Sequence, residues 1–295
     1  MRHRVGLLIA VGLIAFTACG GDPAPDNGGD ESQGSGGIAA VDEAMGEIDS
    51  GRIQLSLKAL NPDDPPRGFE MAGVFAAPKS ADELPVADLT YKNLLPTVTR
   101  EKGFVSDGSR AWVITDQGFT ELKDDKLESL EGGADVAGVR QLAFAKWFTG
   151  EVSEQPGEAL DGLATVAYAG EIDGAVVLND IIAMTKSLGA NVESPLDEEG
   201  LELVRGAIES PEAVILAGEE DHIPRRITFS AGFPPGRISD LGAALGRLYA
   251  QRVEFQIDLT EVNRPVTPPA PPKGPAAPTT TTTTPPDFPA PPTVP

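Results

Sequence analysis

The chain has 295 residues, 45 acidic and 23 basic, and a formal net charge of −22. A field of that sign repels nucleic acid and anionic lipid headgroups, which argues against both as direct partners. So many acids read most plainly as a solvated surface.

Arg2, His3 and Arg4 form a basic start, Val5–Phe16 is almost wholly apolar, and Thr17-Ala18-Cys19-Gly20 ends the run with small residues. The stretch from Val5 to Ala18 falls short of the roughly 20 residues a spanning helix needs, so residues 1–18 read as a signal peptide. Small residues before the chain's one cysteine match the bacterial lipobox, in which the thiol of Cys19 receives a diacylglyceryl group. Phe16 departs from that pattern, which usually has leucine there. The alternative is an ordinary signal peptide cut after Ala18, which leaves an exported free thiol open to crosslinking. Two acyl chains at ~0.8 kcal/mol per buried methylene anchor a protein almost permanently, so the expected location is the outer face of the cell membrane. Loss of Arg2 and Arg4 leaves 21 basic against 45 acidic residues, a net charge of −24.

Gly20–Gly37 holds 7 glycines in 18 residues and no large apolar side chain, so residues 19–37 read as a lipidated cysteine and flexible tether. At the other end, 13 of the 27 prolines fall in Pro265–Pro295, together with the run Thr279–Thr284. Residues 264–295 therefore read as a polyproline II or disordered tail, a spacer through wall polymer or a dispensable end, with threonines open to O-glycosylation.

Residues 38–263 remain for one globular domain, without internal repeat or second linker. The spacing of Ile38, Val41, Ala44 and Met45 predicts a helix over Ile38–Ile48. Ile53, Leu55 and Leu57 then alternate with Gln54, Ser56 and Lys58, the period of a half-buried strand. Phe69, Met71 and Phe75 continue that pattern, and Leu89 and Tyr91 mark a third strand. Ser106-Asp107-Gly108-Ser109 and Asp116-Gln117-Gly118 are hairpin signals that separate strands at Gly103–Val105, Arg110–Thr115 and Phe119–Leu122. Residues 139–148 are apolar round most of a helical circumference, at Leu142, Phe144, Trp147 and Phe148. Such a helix is a core helix or a cavity lid, unless the segment is not helical at all.

Further strands are expected at Leu163–Ala169, Ala213–Ala217, Arg226–Ala231 and Val253–Leu259. Between them, Val177, Ile181, Met184 and Leu188 form a helical stripe closed by Gly189. Ser194-Pro195-Leu196-Asp197 starts a helix through Leu201, Val204 and Ile208, with Pro211 as its stop. Leu241, Ala244, Leu245 and Leu248 give one more helix. Strand runs broken by amphipathic helices indicate an α+β fold with helices on the apolar face of an antiparallel sheet.

Catalytic chemistry has little to stand on. After processing, His222 is the one histidine left, in the acidic turn Glu219-Glu220-Asp221-His222, and no HExxH, GxSxG or P-loop pattern occurs. Asp63-Asp64 and Asp124-Asp125 fit no EF-hand loop and read as surface. No enzyme, cofactor, metal site or catalytic residue is expected.

The strand-turn pattern of Gly103–Leu122, the stretch Gly162–Leu178, Ala213–Phe229 with Arg225 and Arg226, and Val253–Pro265 together resemble the LolA-like lipid-carrier lipoproteins, in particular the LppX/LprAFG family of actinobacteria. The resemblance covers about Ile38–Pro268. It implies a strongly bent antiparallel sheet, a LolA-like half-barrel whose concave apolar face is covered by helices. It also implies a lipid or glycolipid ligand moved through the envelope, with cell wall or an envelope transporter as further partners. On that reading Leu55, Leu57, Phe75 and Ile114 are inward sheet positions lining a cavity, with Leu142, Phe144, Trp147 and Phe148 as its lid. A packed core would look identical in sequence. The expected function is a membrane-anchored lipid carrier; the alternative is an envelope scaffold or sensor with a solid core.

Overall fold

In the computed structural model of the chain, the described residues are 36–273 apart from 81–82, 96–98, 124–138, 189–194, 235–244 and 246–249. Cys19, Asp124, Asp125, Gly189, Ser194, Leu241 and the threonine run lie outside them. Among the described residues no helix is long and apolar enough to cross a membrane.

Helix α1 spans Gly36–Gly46 and buries Ile38, Val41, Ala44 and Met45, the predicted stripe; it begins inside the expected tether. Six strands follow as an antiparallel meander: β1 (Ser50–Leu60), β2 (Arg67–Ala76), β3 (Val86–Leu94), β4 (Thr99–Asp107), β5 (Ala111–Thr115) and β6 (Gly118–Glu121). Asp107 builds the β4–β5 turn, accepting from the amides of Ser109 and Arg110 at 3.0 and 2.8 Å. A second meander follows with β7 (Phe148–Pro156), β8 (Thr165–Ile172), helices α2 (Gly174–Ser187) and α3 (Glu198–Arg205), then β9 (Glu209–Gly218), β10 (Pro224–Gly232) and β11 (Arg252–Thr260).

The two meanders join through their outermost members in sequence, because β1 pairs with β11 over nine residue pairs from Arg52↔Thr260 to Leu60↔Arg252. The result is one open sheet of eleven antiparallel strands in the order β6-β5-β4-β3-β2-β1-β11-β10-β9-β8-β7. Among the described residues the open edges are therefore β6 and β7, and the first and last strands pair in the middle. In β2, Gly73 holds φ +152°, and a Cβ there would lie 2.0 Å from the Asp88 carbonyl oxygen of β3. Only a residue without a side chain permits that approach.

Register assigns the faces, since paired residues of a ladder point the same way. Met71, Leu55, Ile257, Ile227, Ile215 and Tyr168 form one apolar row across six strands. Phe69, Leu57, Phe255, Phe229 and Ala213 form the next. Helices α1 and α2 cover this face, and Val177, Leu178, Ile181 and Ile182 of α2 are fully buried. Asp173 caps α2, accepting from the amides of Ala175 and Val176. Asp197, within the predicted capping start, caps α3; Pro195 precedes that helix, and Pro211 lies within β9 instead of stopping a helix.

Past β11 the chain does not leave the domain at once. Asn263, at φ +57°, accepts from the Asp49 amide at 2.8 Å and donates through Nδ2 to the Glu47 carbonyl at 3.0 Å. Ser50 Oγ donates to the Arg264 carbonyl at 2.8 Å. Beyond this clamp Val266, Pro269 and Pro272 are half-buried while the residues between them are exposed. A three-residue period is that of polyproline II, and the described part of the tail follows it without helix or strand.

Candidate functional site

Residues 139–148, open in sequence between a core helix, a cavity lid and no helix at all, form an irregular strap. It makes two short 3-10 turns, Val139–Gln141 and Phe144–Lys146, and Phe148 opens β7, a strand the sequence pattern did not indicate. The apolar side chains drop individually into the core: Leu142 is 4 % exposed and Phe144 and Trp147 are fully buried, the two rings meeting edge to face at 4.9 Å. Phe148 is half-buried against the same core.

Polar groups of the helices hold the strap. Asp42 of α1 accepts from the amides of Phe144 and Ala145 at 2.7 and 2.9 Å. Asp180 of α2 accepts from the Trp147 indole at 2.8 Å. Arg140 donates to the Ile48 carbonyl at 2.6 Å, at the end of α1. Both carboxyls titrate above the ordinary carboxylate range. Burial raises Asp42 against the pull of the two amides and nearby Lys146. Burial likewise raises Asp180 against its hydrogen bond from Trp147, with Lys146 lowering and Asp42 raising it further. The charge of Lys146 thus lowers two carboxyls that belong to different helices.

Of the four sheet positions expected to line a cavity, Leu55, Leu57 and Phe75 share the apolar face and are 3 %, 0 % and 5 % exposed. Ile114 does not join them. It pairs with Gly103, which pairs with Thr90, then Ala72, then Gln54, so it lies on the opposite, polar face. The reason is the unbroken apolar run Ala111-Trp112-Val113-Ile114, in which alternation gives no phase. Trp112 shares that outer face, 3 % exposed under the Arg110 guanidinium at 5.0 Å from its ring.

Two grooves also lie on the polar face. A groove of about 880 Å³ runs from Glu101 on β4 to Glu212 on β9, and a smaller one of about 310 Å³ lies beside it at Glu209, Gln251 and Arg252. Under the strap, by contrast, the side chains from sheet and helices form one packed cluster. Tyr91 belongs to that environment: it lies 5.9 Å from the Phe69 ring, and burial pushes its phenol well above the usual range.

His222 lies in the β9–β10 turn at φ +53°, next to Asp221, which binds Arg225 at 2.5 Å. Among the described residues no three His, Cys, Asp or Glu side chains gather as metal ligands.

No protein-family model matches the chain, and no curated protein matches it in sequence. Solved structures do. LprF from Mycobacterium bovis is similar at 13 % identity and a TM-score of 0.47, over 83 % of this chain and 99 % of that one. The Mycobacterium tuberculosis lipoprotein LppX is similar at 11 % identity and a TM-score of 0.30, over 79 % and 96 %. A LolA superfamily protein from Nitrosomonas europaea is similar at 10 % identity and a TM-score of 0.21, over 78 % and 93 %.

Proposed function

We propose that this chain is a membrane-anchored lipoprotein that binds a lipid, or a lipid-linked molecule, between the apolar sheet face and its helices and carries it across the envelope. The observation behind this reading is the cover of that face. It includes an irregular strap, residues 139–147, held to α1 by two backbone hydrogen bonds to Asp42 and to α2 by the Trp147 indole on Asp180. Side-chain latches of this kind are worth about 1 kcal/mol each, more where the acceptor is charged, so they release at modest cost. Acyl chains that replaced the strap's rings against the sheet would gain about 25 cal/mol per Å² of apolar area. Cys19 supplies the anchor.

A second reading, a solid-cored envelope scaffold or sensor, is favoured by the packing under the strap, where Phe144 and Trp147 fill the space a guest would need. Native mass spectrometry of the chain gently extracted from its own membrane separates the two. A co-purifying acyl lipid, displaced by added fatty acid, supports carriage. A clean mass that takes up no lipid on incubation with vesicles, even after the strap is loosened by Trp147→Ala, ends that reading and leaves the scaffold. Cys19→Ala tests the anchor separately: the protein should move from the membrane to the soluble fraction.

A further inference from the structure

The larger of the two grooves on the polar face lies on the other side of the sheet from the strap, away from the proposed lipid site. Its floor is made of short polar side chains from adjacent strands: Gln54 and Ser56 of β1, Thr90 of β3, Thr228 and Ser230 of β10, and Gln256 of β11. Four of these, Gln54, Ser56, Thr90 and Ser230, make no side-chain hydrogen bond to the described residues, so their hydroxyl and amide groups stand free. Each can both donate and accept.

Six of the eight charged side chains lining the groove pair with one another, and Glu212 and Asp258 leave it a small acidic excess. Lys58 pairs with Glu70 at 3.0 Å, Lys92 with Glu101 at 3.7 Å, and Arg252 with Glu254 at 2.8 Å. Asp258 is occupied by Arg226 and by the Gln256 amide, both at 2.5 Å. The band carries three bases against five acids, and every base is already paired. An anionic ligand would meet the acidic excess and a cationic one would compete with the bases seated there; a neutral one does neither.

Length adds a second constraint. From β4 to β9 the groove crosses six inter-strand spacings, about 29 Å at ~4.8 Å each. The floor is also stiff, because each strand's reverse side is locked into the core, so little order is lost on binding.

We propose that the polar face of the sheet binds a neutral, hydroxyl-rich chain several units long, an uncharged oligosaccharide segment lying across strands β4 to β9. Gln54, Ser56, Ser230 and the Gln256 carbonyl exchange hydrogen bonds with its hydroxyls, and the ion pairs border it. The lipid and glycan sites then occupy opposite faces, so a domain tethered at a membrane would hold a polysaccharide layer with the side that carries no lipid.

The test titrates the ¹⁵N-labelled domain with cellohexaose, maltohexaose and chitohexaose, and with hexalysine and an oligogalacturonate as charged probes. At least one neutral hexasaccharide should move the amide signals of β1, β10 and β11, with an affinity unchanged by high salt. Ser56→Lys and, independently, Ser230→Lys should weaken it about tenfold or more, the loss of one or two ligand hydrogen bonds. Both positions are half-buried on the polar face, Ser230 beside an irregularity in the β9–β10 ladder, and an unchanged unfolding curve for either variant shows that the fold is kept. Silence toward all three neutral chains, binding of a charged probe alone, or equal binding by the two variants overturns the proposal. Lipid uptake is read separately by native mass, so failure here leaves the carrier reading untouched.

Discussion

The Trp147 indole donates to Asp180 Oδ2 at 2.8 Å and joins the strap to the middle of α2. The bond has an energetic cost built into it, because burial raises the Asp180 carboxyl above its ordinary range. A carboxyl with a raised folded-state pKa favours folding while it is protonated, and that contribution fades as pH rises through the folded value. Asp180→Asn keeps an acceptor for the indole and removes the buried charge. Its stability at neutral pH should lie within about 1 kcal/mol of the parent, or above it. The difference between the two should shrink as pH falls into the carboxylate range. Trp147→Phe removes the donor and part of the ring, at a cost of about 2–3 kcal/mol. Urea unfolding of the three proteins at several pH values measures both effects.

Asp173 behaves in the opposite sense. Burial works against its charge, but the Arg205 guanidinium, at 2.9 and 2.7 Å, and the amides of Val176 and Ala175 outweigh burial and hold the carboxyl below the usual range. Its contribution is present above the unfolded value and is lost as pH falls through the folded one. Asp173→Ala removes the α2 cap and the tie to the end of α3 together, and should cost about 1–3 kcal/mol at neutral pH. That penalty should shrink in acid. A constant penalty across the pH range would show that the ion pair contributes nothing.

Much of this architecture was legible because alternation and stripe survive in single elements. Val253, Phe255, Ile257 and Leu259 alternate without a break and sit on one face of β11, and Val177, Ile181 and Met184 of the α2 stripe are buried, with Leu188 half-buried at its C-cap. Two failures have physical causes. Strand β7 is an edge, with one buried residue, Val152, among exposed neighbours, so burial imposes no pattern on its sequence. The strap has the opposite fault. Its residues are apolar all round because irregular backbone drops them inward one by one, which imitates a buried helix. The polar-face groove left no trace, because Ser56, Thr228 and Ser230 come together only through the pairing of β1 with β11 and of β11 with β10.

The assignment of faces has a direct test in two lysines. Leu55→Lys puts a charge among Met71 and Ile257 beneath the helices, and should destabilise by about 3–5 kcal/mol or prevent folding. Ile114→Lys puts the same charge on the solvent side of β5 and should cost less than about 1 kcal/mol. Equal penalties would mean that Ile114 faces the core.

Gly73 provides the last test, of the sheet's backbone geometry and not its faces. Its φ of +152° and the 2.0 Å approach of a notional Cβ to the Asp88 carbonyl leave no neighbour that can yield, since the obstructing atom is main chain in the β2–β3 ladder. Gly73→Ala must therefore twist β2 or separate it from β3, and should cost about 2–4 kcal/mol. Gly46, where a Cβ meets nothing within 4 Å at the end of α1, is the control. Gly46→Ala should be neutral or mildly stabilising, because alanine restricts the unfolded chain and suits a helix better. Thermal unfolding of the pair reads the contrast directly. If Gly73→Ala unfolds with Gly46→Ala, the close approach of β2 to β3 does not hold in solution.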